Sequence, residues 1–229
     1  MEQKSIALDG PGAAGKSTLA RMVAKKLGLI YVDTGALYRC IALFVLRNNI
    51  NTKDEPGITA ALSEIEIEMK YDDEGVQRML LNGEDVTDEI RLPEISMGAS
   101  DVSSIPSVRD FLLSTQRGMA EKYDIIMDGR DIGTVILPDA GLKVFLTAEP
   151  EARAKRRYLE LLEKNIETTF DDVQKDMILR DKNDSERAAA PLRAADDAIM
   201  LDTTSLSLDE SFYVLCEIIN KRFGNETQL

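Results

Sequence analysis

The stretch that most restricts what this 229-residue chain can fold into is Gly10-Pro11-Gly12-Ala13-Ala14-Gly15-Lys16-Ser17, a match to G-x-x-x-x-G-K-[ST]. It follows the apolar run Ser5-Ile6-Ala7-Leu8, which ends at Asp9 and reads as a buried strand. It precedes a helical pattern with Leu19, Val23 and Leu27 on one face, stopped at Gly28. Strand, glycine loop and helix in that order form a phosphate cradle. Glycines let backbone N–H groups curl around an anion without Cβ clashes. The start of the helix points its positive dipole end at the same anion. Lys16 then reaches the β- and γ-phosphates, and the Ser17 hydroxyl suits Mg2+. A nucleoside triphosphate is the expected ligand.

The remainder alternates strands with helices. Leu29–Val32 reads as a second strand, followed by a helix over 36–46. Helical patterns cover 93–103 and 106–121, the latter opened by Pro106. Strands are expected at Tyr123–Asp128, Leu142–Leu146 and Ala198–Asp202, and helices over 150–162, 170–184 and 208–223. This alternation implies an α/β fold with a parallel sheet covered on both faces. The exception is 60–90. There Ile65-Glu66-Ile67-Glu68-Met69 alternates with period two, Asp72-Asp73-Glu74-Gly75 is a turn, Gln77–Leu81 is a second strand and Asn82-Gly83 is a hairpin turn. A small antiparallel unit is therefore inserted in the chain. The tail, 225–229, is expected to fray.

Composition removes most other chemistry. There is no histidine, which excludes Ser-His-Asp and Cys-His catalysis and imidazole-ligated zinc. The two cysteines, Cys40 and Cys216, lie in apolar helical patterns and read as reduced core residues. No apolar run approaches a membrane span, and Met1-Glu2-Gln3-Lys4 does not open a signal peptide, so the expected location is the cytoplasm. A formal net charge of −13 disfavours nucleic acid and anionic membranes as partners. That charge is uneven. Segment 50–95 carries 4 basic against 13 acidic residues, whereas 153–193 carries 10 against 9. An anionic small molecule would be steered to the basic stretches.

A GTPase is disfavoured because no Asn-Lys-x-Asp motif is present, and Asp54-Glu55-Pro56-Gly57 reads as a loop. Asp128 ends a strand as a Mg2+-proximal aspartate would, although a strand-end turn former explains it too. Thr34, near a helix start, and Arg39, one turn on, suit a second phosphate. The loops after the first three core strands share one rim, where ligands collect in open parallel sheets. Arg153, Arg156 and Arg157 share a helical face. Beside a phosphate loop, such cations fit phosphoryl transfer better than a solvated face. A small-molecule kinase is the favoured class. Kinases acting on AMP or shikimate, and a non-hydrolysing nucleotide-binding module, remain open alternatives.

The segments GPGAAGKST, DTGALYR, GASDVSSIPSVR, DGRDIGTVILPDA, RDKNDSERAAAPL and LDTTSLS together resemble the bacterial cytidylate kinases, of the nucleoside monophosphate kinase class, over about 4–223. The resemblance implies a P-loop kinase with a five-stranded parallel core (1–59, 91–152 and 191–224). It also implies an inserted monophosphate-binding subdomain at about 60–90 and a helical lid at about 153–190. The implied reaction moves the ATP γ-phosphoryl to CMP or dCMP, with Mg2+ as cofactor at Ser17. By position, Gly10, Pro11, Gly12, Ala13, Ala14, Gly15, Lys16, Ser17 and Thr18 would hold ATP. Thr34, Arg39, Arg130 and Arg187 would face the CMP phosphate, and Ser100, Arg109 and Asp131 the cytosine. Arg180 and Asp184 would face the sugar, with Asp128 near the acceptor. Lys16, Arg130, Arg153, Arg157 and Asp128 are the expected catalytic set. No exposed apolar helix marks a dimer face, so a monomer is the default.

Overall fold

The structure is a computed structural model and describes residues 3–224. The expected frayed tail, 225–229, lies outside the described residues, as do Met1 and Glu2. Five parallel strands form the core sheet in the order β2 (Ile30–Asp33), β6 (Ile125–Gly129), β1 (Ser5–Asp9), β7 (Leu142–Thr147) and β8 (Ile199–Asp202). α1 (Lys16–Leu27) and α8 (Leu208–Phe223) cover one face, where Leu19, Val23, Leu215 and Ile219 pack on Ile6, Leu8, Ile126 and Val144. The other face meets α5 (Pro106–Lys122) and a single π-helical turn, Ile132–Ile136.

Strand alternation decides which polar groups reach which face. The parallel register pairs Leu8 with Asp128 and Asp9 with Gly129. Leu8 packs toward α1, so Asp128 beside it also faces α1. Asp9, one residue on, faces the opposite side and accepts from Ile132 N and Gly133 N, both at 2.8 Å. A buried carboxylate thus ties the strand that feeds the glycine loop to the loop after β6.

Ahead of the antiparallel sheet the structure has a helix that the sequence pattern does not suggest. Asp54-Glu55-Pro56-Gly57, read as a loop, opens a helix instead, α3 (Glu55–Ala61). The Asp54 side chain accepts from Gly57 N and Pro56 sits in the first turn. A 3-10 turn (Leu62–Glu64) then delays the first strand, so β3 spans Ile67–Tyr71 rather than 65–69. β3, β4 (Gln77–Leu81) and the short β5 (Glu84–Asp85) form an antiparallel sheet. Asn82 and Gly83 both take positive φ, 49° and 82°, as the two-residue turn requires. Ile58, Met79, Leu81, Val86 and Ile90 of this unit share one apolar cluster with α2 (Thr34–Arg47), α4 (Pro93–Val102) and α5. α6 (Pro150–Glu163) and α7 (Phe170–Glu186) pack on one another, with Tyr158 edge-on to Phe170. No helix among the described residues is long and apolar enough to cross a membrane.

Candidate active site

β1, β2 and β6 end on one rim, and a cleft of about 1040 Å3 opens above them. Gly10 has φ 148°, and a Cβ there would collide with the Leu146 carbonyl oxygen. Only glycine lets the loop pass β7. Gly15, at φ 98°, turns the chain into α1. Lys16 is buried and its Nζ donates to Pro11 O at 2.8 Å. Burial, reinforced by Arg130, pulls its pKa down. The Ser17 hydroxyl donates to Asp128 Oδ2 at 2.6 Å, and Tyr31 OH donates to Oδ1 at 3.3 Å. Burial first, then nearby Asp33, raises the Asp128 pKa to about 6. Among the described residues no cluster of three or more His, Cys, Asp or Glu could hold a metal ion. Ser17 beside Asp128 instead fits a hard cation held largely by phosphate oxygens.

Arginines gather opposite the glycine loop. Arg39 Nε and Nη1 and Arg180 Nε are buried with no hydrogen-bond partner. Arg130 donates to Asp184 Oδ2 at 2.8 Å and to Gly129 O at 3.3 Å. Burial, followed by repulsion from Arg130, pushes the Arg180 pKa down to about 10. Unpaired buried cation donors cost free energy, and an anion in the cleft would satisfy them. Thr34 Oγ1 is held on Asp128 O at 2.8 Å beside them.

Next along the rim, Asp131 pairs with Arg109 and with Arg187, the latter at 3.2 Å. Burial raises the Asp131 pKa, while Arg109 and Arg187 oppose the rise. Arg109 lies over the Tyr38 ring at 5.7 Å. Ser100, expected with this group, donates instead to Asp184 Oδ1 at 3.3 Å. Ser100 still lines the cleft, and Ser103, one helical turn on, lines it too and touches the two arginines that pair with Asp131. Its carbonyl accepts from Arg109 and its hydroxyl from Arg187, both at 3.1 Å.

The arginines of α6 separate by depth. Arg157 lines the cleft and pairs with Glu160 at 2.8 Å. Arg156 is tied to Thr203 O at 2.6 Å. Arg153, expected over the transferring group, does not line the cleft. It lies one turn nearer the start of α6, where the helix meets the glycine loop. There it is buried and donates to Ala148 O at 2.8 Å and Gly12 O at 3.2 Å, and it pairs with Asp181 at 2.7 Å.

Sequence reasoning missed Tyr31, Asp33, Gln77, Arg91, Ser103 and the bracing role of Asp9. Asp33 had a signal, since it precedes a helix start as an N-cap does, and its side chain accepts from Ala36 N at 3.1 Å. Gln77 and Arg91 had none, because they reach the site across the inserted unit.

Residues 6–221 match the family model described as cytidylate kinase. A cytidylate kinase of Caldicellulosiruptor saccharolyticus is 49% identical over 99% of this chain and 100% of its own. One of Lactobacillus johnsonii is 47% identical over 96% of this chain and 95% of its own. Among solved structures, an uncharacterized protein from Eubacterium ventriosum superposes with a TM-score of 0.52 at 13% identity, covering 96% of this chain and all of its own. That last likeness shows the fold alone. The lengthwise agreement with the family model and its relatives, added to the glycine loop and the arginine-lined cleft, shows that the chain belongs to the cytidylate kinase family.

Proposed function

We propose that the protein transfers the γ-phosphoryl group of ATP to CMP or dCMP, giving ADP and CDP or dCDP. The observation that carries this reading is the set of buried, unpartnered arginine donors facing the glycine loop across one cleft. The loop 10–18 holds the donor phosphates and Lys16 swings from Pro11 O to the β- and γ-oxygens. Arg39, Arg130 and Thr34 hold the acceptor phosphate. A nucleotide phosphate oxygen is already anionic, so no general base is needed. Catalysis is alignment plus charge neutralisation by Lys16, Arg130 and Arg157. The Ser17 hydroxyl, with Asp128 behind it, would hold Mg2+, which would supply further neutralisation of phosphate charge.

Asp131, fixed by Arg109 and Arg187, accepts from the cytosine amine. Uracil would present a carbonyl there, against a carboxylate. Asp184 and Arg180 face the sugar. The unit at about 60–90 covers the acceptor side, and 153–190 acts as a lid that brings Arg157 inward and excludes water. The chain works as a cytoplasmic monomer without nucleic-acid or membrane partners, and its free buried Cys40 and Cys216 suit a reducing compartment. ADP release measured with CMP, dCMP, UMP, AMP and no acceptor tests the proposal. Strong turnover of the two cytosine nucleotides with at most weak turnover of UMP is expected, and equal kcat/KM for AMP or UMP would overturn it.

A further inference from the structure

The acidic inserted unit grips the rim of the cleft along β2. Gln77 is buried on β4. Its Oε1 accepts from Asp33 N at 2.9 Å and its Nε2 reaches Asp33 O at 3.5 Å. This side-chain amide satisfies backbone groups that no strand partner covers. Tyr71 OH donates to Tyr31 O at 2.9 Å. Arg91, in the turn Glu89–Arg91 that closes the unit, donates Nη1 to Asp33 Oδ2 at 2.6 Å. The same Oδ2 lies 3.6 Å from Arg39 Nη1, outside hydrogen-bonding distance. Two arginines therefore face one carboxylate oxygen. Arg91 holds the short contact, and Arg39 is left with buried, unpartnered donors.

We infer that Arg91 and Gln77 are positioning residues: they hold Asp33 on Arg91 so that Arg39 stays free for the acceptor phosphate. The inference rests on the role of Arg39 proposed above. Burial by itself would raise the Asp33 pKa, but Arg39 and Arg91 outweigh it and hold the carboxyl at about 2. Asp33 is thus a fixed anion within reach of the cation that must bind another anion. Without Arg91, Asp33 would turn to Arg39 and compete with phosphate for the same guanidinium. Gln77 fixes the backbone at the pivot of that choice, so an insert with no catalytic group of its own can still govern the acceptor site.

The test uses the full chain. Arg91→Met is expected to raise KM for CMP tenfold or more while kcat changes less than threefold, and Arg91→Lys should recover most of the loss. The decisive variant is Arg91→Met combined with Asp33→Asn. Asparagine keeps the helix cap but removes the competing charge, so KM should return to within threefold of the unsubstituted protein. Inhibition by cytidine, which lacks the phosphate, should stay within twofold throughout. A double variant as weak as the single one would overturn the inference, and so would a loss of cytidine binding equal to the loss for CMP. Inorganic phosphate, titrated as a stabiliser against heat with ADP and Mg2+ present, reads the same site without turnover. Failure to phosphorylate CMP would therefore strike the proposed function and leave this test standing.

Discussion

Replacing Arg153 by Met separates a cation that neutralises charge from one that holds the framework. Arg153 is 4% exposed, and its guanidinium binds the 148 carbonyl, the glycine-loop carbonyl of Gly12 and the Asp181 carboxylate. Methionine fills much of the volume but leaves Asp181 and two carbonyls without their donor. Breaking a buried ion pair from one side costs roughly 3–5 kcal/mol. The Asp181 side chain is 25% exposed, so the lower part of that range applies, about 3 kcal/mol. For a chain of this length that corresponds to a fall in Tm of roughly 6–12 °C. Urea unfolding gives the free energy directly, and steady-state kinetics on the same preparation give kcat and KM. The expected result is a clear loss of stability with a fall in kcat of less than about tenfold, because Arg153 points into the framework and does not line the cleft. Asp181→Asn in the same background should recover part of the stability by removing the stranded charge. An unchanged unfolding free energy with kcat down a thousandfold would refute the reasoning and return Arg153 to the reacting centre.

Arg157→Ala should do the converse, lowering kcat by a hundredfold or more with KM for CMP and the unfolding midpoint little changed. An unchanged kcat would make Arg157 a surface residue. UMP should show a kcat/KM at least a hundredfold below that of CMP, and Asp131→Asn should narrow the gap, as a parallel assay of both nucleotides would show. Asp33 has a folded pKa of about 2, below its ordinary value of 3.8, so its stabilising effect is present above pH 3.8 and is lost as pH falls toward 2. The shift is worth about 2–3 kcal/mol. The stability difference between the unsubstituted protein and Asp33→Asn should therefore shrink across that window in urea titrations. Gly10→Ala should abolish soluble folded protein or nucleotide binding, since its Cβ meets the Leu146 backbone, and a normal ATP-induced shift in Tm would contradict that.

The parallel core was readable because its strands are continuous apolar runs bounded by turn residues, and the glycine loop because its spacing reflects a steric demand. Local rules also reached the hairpin at Asn82-Gly83. They failed at Glu55–Ala61, where Pro56-Gly57 looks like a helix breaker. Pro56 falls in the first turn, where a missing N–H is harmless. They do not separate the arginines of α6, where three at i, i+3 and i+4 look equivalent by spacing. Depth distinguishes them, and depth depends on how the start of α6 seats on the loop 10–14. The different partners of Ser100 and Ser103 have the same origin. Two serines on successive turns are indistinguishable until the partners, Asp184 and Arg187, arrive from α7 and its end.

The placement of charge explains how a chain of net −13 builds an anion site. Of the four buried aspartates lining the cleft among the described residues, three are each flanked by two arginines: Asp33 by Arg39 and Arg91, Asp131 by Arg109 and Arg187, and Asp184 by Arg130 and Arg180. A buried carboxylate without such partners would take up a proton instead of staying charged. With two arginines each, the carboxylates hold the guanidinium planes in place yet leave positive charge in excess, and that excess faces the glycine loop. The acidic residues outside the cleft are solvated and screened beyond about 10 Å at ordinary ionic strength, so they do not cancel it. Removing Asp184 should therefore weaken CMP binding even though it makes the site more positive, because the arginine it oriented, Arg130, is released. Asp184→Ala measured by CMP titration is the direct case, and tighter CMP binding in that variant would show that net charge, not orientation, governs the site.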